Sequence, residues 1–283
     1  MSATTIAPVP VRSPLPTGLA GSTVVVIGGS SGIGLAAGVL LAGVGARVVL
    51  VGRDQSRLTA AVGRVRDAAA RAEGDGVARA GAGAGESAGR HADSVFGMSA
   101  DGTDEDALAE IFDQAGPVDH VLVTAGGIGG AGPLTELSAG DLRSVLDTRV
   151  WGAFAAARVA AARLPGGGSI TFSSGTYAIR PIPGMTGPLA AIGAVETFTK
   201  ALAVELAPRR LRVNTVRFGS FDTPLLRTVA GLGSDAAIAK AGESTPLGRY
   251  GTAEEAAASA LFLMANNYVT GQVITVDGGQ SLA

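Results

Sequence analysis

Seven short runs rich in Val, Ile and Thr divide this chain, and stretches with helical spacing lie between them. The runs fall at 22–29, 46–52, 94–100, 118–126, 168–174, 211–219 and 271–279, the helical stretches at 32–45, 55–72, 104–116, 138–163, 188–207 and 252–266. A strand that is apolar on nearly every residue needs cover on both faces, and strands joined through helices run parallel. The expected fold is therefore α/β: a Rossmann-type, doubly wound parallel sheet of about seven strands with helices on both faces. A hydrophobic fraction of 47% over 283 residues supplies the core of one such domain, spanning 21–283, and the 43 glycines suit close helix–sheet packing.

Three segments stand outside this alternation. Residues 1–20 are rich in Pro, Ser and Thr without periodicity, which predicts a disordered tail. Residues 73–93 are Gly/Ala-rich and read as a flexible insertion. Residues 220–250 follow a strand's carboxyl end, where a lobe is well placed to cover a ligand crevice.

Charge and composition narrow the partners. A net charge of −2 asks for neither nucleic acid nor an anionic membrane, and the absence of cysteine excludes disulfides and thiolate chemistry. The N-terminus has no apolar core behind a basic start, and the apolar run from Leu35 to Val51 is broken by glycines and Arg47. These features predict a soluble, cytoplasmic protein.

The turn after the first strand carries the clearest chemistry. Gly28, Gly32 and Gly34 are spaced G-x-x-x-G-x-G between a strand and a helix, with Ser30, Ser31 and Ile33 completing the loop. Glycines permit the tight turn and let the backbone approach a pyrophosphate, whose charge the helix N-terminus favours. This spacing resembles the glycine motif of the short-chain dehydrogenase/reductase family, with Ile27 at the family's Thr. The likeness covers about residues 22–283 and recurs at independent points. "SADGTDEDAL" resembles the family's D-V-T-D segment, placing Asp101 and Gly102 against the adenine. "DHVLVTAG" is similar to D-I-L-V-N-N-A-G, keeping Ala125 and Gly126 while Val123 and Thr124 replace both Asn. "RVNTVRFGSFDTPL" resembles R-V-N-x-V-x-P-G-x-x-x-T, with Phe218 for Pro and with Gly219 and Thr223 retained, and "TGQVITVDGG" matches the C-terminal strand signature.

The resemblance implies a nicotinamide cofactor, and the end of the second strand bears on which one. A carboxylate there would accept from a ribose 2′-hydroxyl and repel a 2′-phosphate, but the chain has Gly52 and then Arg53. A guanidinium pairs with phosphate bidentately, so NADP(H) is favoured over NAD(H), although Asp54 could pair with Arg53 or Arg57. The resemblance also implies a small-molecule substrate, no bound metal, and a homo-oligomer, a tetramer or a dimer.

At the reaction end the resemblance breaks down. The family uses a Tyr as acid, a Lys, a Ser and an Asn; the Tyr and Lys positions here hold Pro188 and Ile192, the Asn position holds Arg149, and the Ser position is Ser174 or, by strict spacing back from the Tyr position, Gly175. No Y-x-x-x-K occurs anywhere in the chain. Arg149 is either an electrostatic stabiliser, or clamp for a carboxylate or enolate, or one half of an ion pair with Asp147 or Glu196. Ser174 is either a hydrogen-bond donor to substrate or simply the last residue of a strand. Tyr177 is either a displaced acid or a loop tyrosine packed on its neighbours. Two readings follow. One is an NADPH-dependent reductase with a non-standard site, acting on a C=N or an activated C=C or C=O bond of a largely apolar molecule. The other is an NADP(H)-binding protein with a non-redox role, as regulator, scaffold or catalyst of a different reaction.

Overall fold

The computed structural model of the chain describes residues 11–80, 94–127 and 129–283. Seven strands form one parallel sheet: β1 (Thr23–Ile27), β2 (Arg47–Gly52), β3 (Val95–Ser99), β4 (His120–Val123), β5 (Ser169–Gly175), β6 (Arg212–Phe218) and β9 (Val273–Val276). Their order is β3-β2-β1-β4-β5-β6-β9, and every pairing is parallel. Two short strands, β7 (Phe221–Asp222) and β8 (Gly251–Thr252), pair apart from it.

β1 is buried at all its residues because helices cover both faces. On one side pack α1 (Gly32–Gly43), α2 (Gln55–Ala80) and α9 (Ala253–Ala265), through Leu35, Leu41, Leu58, Val65 and Leu261. On the other pack α3 (Glu105–Ala115), α5 (Gly152–Arg163) and α6 (Thr186–Leu206), through Leu108, Phe112, Val159, Val195 and Leu202. The chain leaves β1 outward to β2 and β3, then returns to β4 on the opposite side. That reversal opens a crevice at the carboxyl ends of β1 and β4, where ligands bind in open α/β sheets.

The single long helix expected over 138–163 is continuous but not uniform. α4 (Ala139–Leu146), started by a Ser138–Asp141 capping box, passes through a π-helical turn at Asp147–Trp151 before α5 begins. Such wide turns are rare and cluster at functional sites. The segment 220–250 is more regular than its sequence suggested: after β7 it forms α7 (Pro224–Val229) and α8 (Asp235–Gly242). Arg227 ties these together, pairing with Asp222 at 2.6 Å and with Asp235 at 2.8 Å.

Two expected boundaries shift. Residues Pro16–Leu19 form a 3-10 turn whose Leu19 is 1% exposed, so ordered structure begins inside the expected tail, of which residues 1–10 lie outside the described residues. Helix α2 runs on to Ala80, into the expected insertion; residues 81–93 lie outside the described residues.

At the opposite end of the sheet from the crevice, His120 of β4 and Ser169 of β5 face each other with Nδ1 and Oγ 2.8 Å apart, both buried. Burial pushes the imidazole down to about 3, and the nearby Arg212 acts in the same direction. A His whose folded value lies below its unfolded one leaves stability intact above the unfolded value and removes it as pH falls toward the folded value. Stability is therefore expected to decline below about pH 6.5, by up to about 1.4 kcal/mol per pH unit. Urea titrations at several pH values should show this slope flattened in His120→Asn; equal slopes in both proteins would exclude His120 as its source.

Candidate functional site

The crevice is a cavity of about 1040 Å³, lined by the cofactor residues singled out in the sequence and, at the reaction end, by Arg149, Ser174 and Tyr177, but not by Pro188 or Ile192. At its floor the chain turns from β1 into α1. Gly28 has φ +95°, and a Cβ there would sit 2.6 Å from the Ala125 amide nitrogen. A Cβ on Gly34 would collide with the Gly28 carbonyl and the Thr124 hydroxyl. These glycines therefore bring the turn, the helix and the β4 loop into contact. Ser31 precedes α1 without a side-chain cap, so the first amides of α1 point free toward the cavity. A glycine cradle in front of an uncapped helix N-terminus suits a pyrophosphate. Ser30, Ile33 and Gly32 complete this wall. Gly219 follows β6, and Thr223 uses its hydroxyl to cap α7 through the Leu226 amide at 3.2 Å.

The adenosine end is set by β2 and β3. Asp54 accepts from the Arg57 amide at 2.9 Å and pairs with the Arg57 guanidinium at 3.1 Å, so the carboxylate that could have opposed Arg53 is taken by Arg57. The same amide bond holds the Asp54 carboxyl below its ordinary value. Arg53 is exposed at the rim. Asp101 accepts from the Thr103 amide at 3.0 Å and its hydroxyl at 2.9 Å, which lowers its carboxyl too; Gly102 lies beside it.

At the reaction end, Arg149 sits in the π-helical turn and lies flat against Gly126, where a Cβ would be 3.0 Å from the guanidinium carbon. Its Nε donates to the Gly127 carbonyl at 3.1 Å. Neither ion-pair partner considered from the sequence is realised: Glu196 is held by Arg217 through Nη2 at 2.6 Å and Nε at 2.9 Å. Desolvation by surrounding protein lowers the Arg149 guanidinium below its ordinary value, and no carboxylate among the described residues offsets it. Arg180 also lines this end and donates to the Gln280 carbonyl at 2.5 Å. Among the described residues the acidic side chains that line the cavity, Asp54 and Asp101, are both at the adenosine end, whereas the Arg149 and Arg180 guanidinium groups line the reaction end; Ala283, the last residue, also lines the cavity.

Ser174 lines the cavity at the end of β5, but its hydroxyl donates to Glu196 at 2.6 Å rather than into the open space. Tyr177 stands in a 3-10 turn after β5, 39% exposed and facing the cavity, so it is not packed away among its neighbours. Pro188 and Ile192 are both buried in α6. Apolar side chains close the remainder, among them Ile182, Met185, Phe221, Leu225 and Val229.

Comparison with known proteins agrees with this architecture. The family model described as "Enoyl-(Acyl carrier protein) reductase" matches residues 75–281. "Carbonyl reductase family member 4" of Danio rerio is 32% identical over 91% of this chain and 97% of its own length. The solved structure of a short-chain type dehydrogenase/reductase from Mycobacterium ulcerans superposes with a TM-score of 0.79 and 29% identity, covering 93% of this chain and 91% of that one. The chain belongs to the short-chain dehydrogenase/reductase family. A further member, a small-chain dehydrogenase solved in complex with NADPH, has a TM-score of 0.68 and 28% identity, covering 93% of this chain and 100% of that one. As an oxidoreductase of the short-chain dehydrogenase/reductase family, this protein works on a small molecule with a nicotinamide cofactor, which the glycine cradle and the free α1 amides fit. No helix among the described residues is long and apolar enough to cross a membrane.

The sequence did not reveal the Ser174–Glu196–Arg217 chain as a unit, which Thr275 extends by accepting from Arg217 Nη1 at 2.9 Å. Nor did it reveal that Gln280 grips Ser220, accepting from its amide at 2.6 Å and donating to its hydroxyl at 3.0 Å, which pins the loop after β6 over the cavity.

Proposed function

We propose that this protein is an NADPH-dependent reductase with a non-standard active site, in which Arg149 takes over the electrostatic part of catalysis. The observation that carries this reading is a half-buried guanidinium that lines the cavity, is held in place by the Gly127 carbonyl, and forms no ion pair among the described residues. The cofactor, held by the glycine turn, Arg53, Asp101 and the Ala125–Gly126 loop, would supply hydride to the substrate. Arg149 then opposes the negative charge that builds on the acceptor as hydride arrives, and it needs no reorganisation to do so because Gly126 and the Gly127 carbonyl already hold it. Tyr177, exposed to the same space, is positioned as proton donor in place of the family's Tyr.

Of the bonds left open by the sequence, the charge of this end favours an activated C=C or C=O over a C=N. Reduction of an enone or ketone loads negative charge onto oxygen, which Arg149 and Arg180 attract. An iminium arrives as a cation, which they repel. The family model's description, an enoyl reductase, is in keeping with the C=C reading. The apolar wall of Ile182, Met185, Leu225 and Val229 fits a largely apolar substrate.

The test is NADPH oxidation by purified protein with matched panels of cyclic enones, ketones and cyclic iminium salts. Turnover of enones or ketones above that of iminium salts is the expected result. Preference for the iminium would remove Arg149 from its role, and inertness toward all three with NADPH bound would favour the non-redox reading.

A further inference from the structure

The hydroxyl of Ser174 has one proton and two lone pairs, and the proton is committed to Glu196 at 2.6 Å. The Glu196 carboxylate is itself fixed by both arms of Arg217, and Arg217 by Thr275 across the neighbouring strand. Both members of the Glu196–Arg217 pair are largely shielded from solvent, at 13% and 12% side-chain exposure. Pro188 and Ile192 lie two turns and one turn earlier on the same face of α6, are buried, and bring no side-chain donor or acceptor to compete for that proton. A hydrogen bond to a carboxylate is roughly twice as strong as one to a neutral carbonyl, so a ligand carbonyl does not draw the proton away. What Ser174 has left for the cavity is lone pairs.

We propose that Glu196 is a positioning residue that holds Ser174 as a hydrogen-bond acceptor, so that the substrate carries an O–H or N–H that meets Ser174. This reverses the donor role considered for Ser174 from the sequence. It rests on the reading of this end of the cleft as a reductase's substrate pocket. Together with Arg149, it describes a substrate with two polar handles of opposite sense: an electron-rich oxygen for the guanidinium and a donor for Ser174.

Oxindole and N-methyloxindole make a matched pair of probes, alike in their carbonyl and apolar body, with only the first offering an N–H. Their dissociation constants are measured by protein-detected NMR titration on the full chain with saturating NADP+, alongside NADP+ affinity and thermal melting. The wild type is expected to bind oxindole roughly tenfold or more tightly than its N-methyl form. Ser174→Ala should bring the two within about twofold. Glu196→Ala is the decisive variant, because Ser174 and Arg217 Nε share one Glu196 oxygen: with the carboxylate gone, Arg217 keeps its bond to Thr275 and the serine proton is released into the cavity. The preference should then vanish or invert, with NADP+ affinity unchanged, an outcome that a purely structural role for Glu196 does not produce. Equal binding, or none, of the probes to the wild type overturns the proposal, as does a preference that survives either substitution. A protein with the expected probe pattern that oxidises NADPH with no substrate keeps this inference and ends the reductase reading, so the two fail separately.

Discussion

Arg149→Gln is expected to lower kcat for the preferred enone or ketone by a factor on the order of 10²–10³, the scale for loss of one preorganised donor. The argument starts from the ground state. The guanidinium is half-buried, it forms no ion pair among the described residues, and its Nε donates to the Gly127 carbonyl. Such a charge is a cost to the resting protein that is repaid only when negative charge appears in front of it. That charge is largest in the transition state, so the loss should fall on kcat more than on KM. Glutamine retains much of the volume and one donor while removing the charge. Because no carboxylate is left stranded, the melting temperature should stay level or rise, and NADPH affinity should hold. A fall in melting temperature that tracks the activity would mean that Arg149 serves the fold, and full activity in the variant would remove it from the mechanism.

Arg53→Ala is expected to weaken NADPH binding by about 1–3 kcal/mol, a factor of roughly 5–150, and to leave NADH binding nearly unchanged. Arg53 reaches the adenosine rim, and Asp54, the nearest carboxylate in sequence, is engaged by Arg57. Arg57 lines the same rim but is tied down by Asp54, so Arg57→Ala should cost less than Arg53→Ala and serves as the internal comparison. Nicotinamide fluorescence titrations of both variants with both cofactors decide the matter. Equal losses for NADPH and NADH would show that Arg53 does not read the 2′-phosphate.

What could be read from the sequence was what is local. Strand β1 is a β-branched run closed by a glycine turn, and the covering helices repeat their apolar residues at helical spacing, so the parallel sheet and its helical cover were legible. At the reaction end, counting from fixed neighbours leads to Pro188, Ile192 and Arg149 as an expectation, and the side-chain contacts around them were not legible. Glu196 and Arg217 lie on a helix and a strand, and only the packing of α6 on β6 brings them together with Ser174. Asp54 had two basic neighbours within reach, and only the first turn of α2 settles that Arg57 holds it. Pro16–Leu19 looked like tail because its composition is polar and broken, yet a single leucine anchors it.

The π-helical turn at Asp147–Trp151 has a consequence for anyone who would transplant this chemistry. A wide turn spends one residue more than an α-helical turn, so the side chains after it are out of phase with those before it. In a scaffold whose helix runs straight through this point, an arginine introduced by substitution alone would be aimed about 100° away, one residue's share of a helical turn. Point mutation can therefore erase the charge at 149 but cannot install it elsewhere; the portable unit is the whole stretch from Ser138 to Arg163, backbone included.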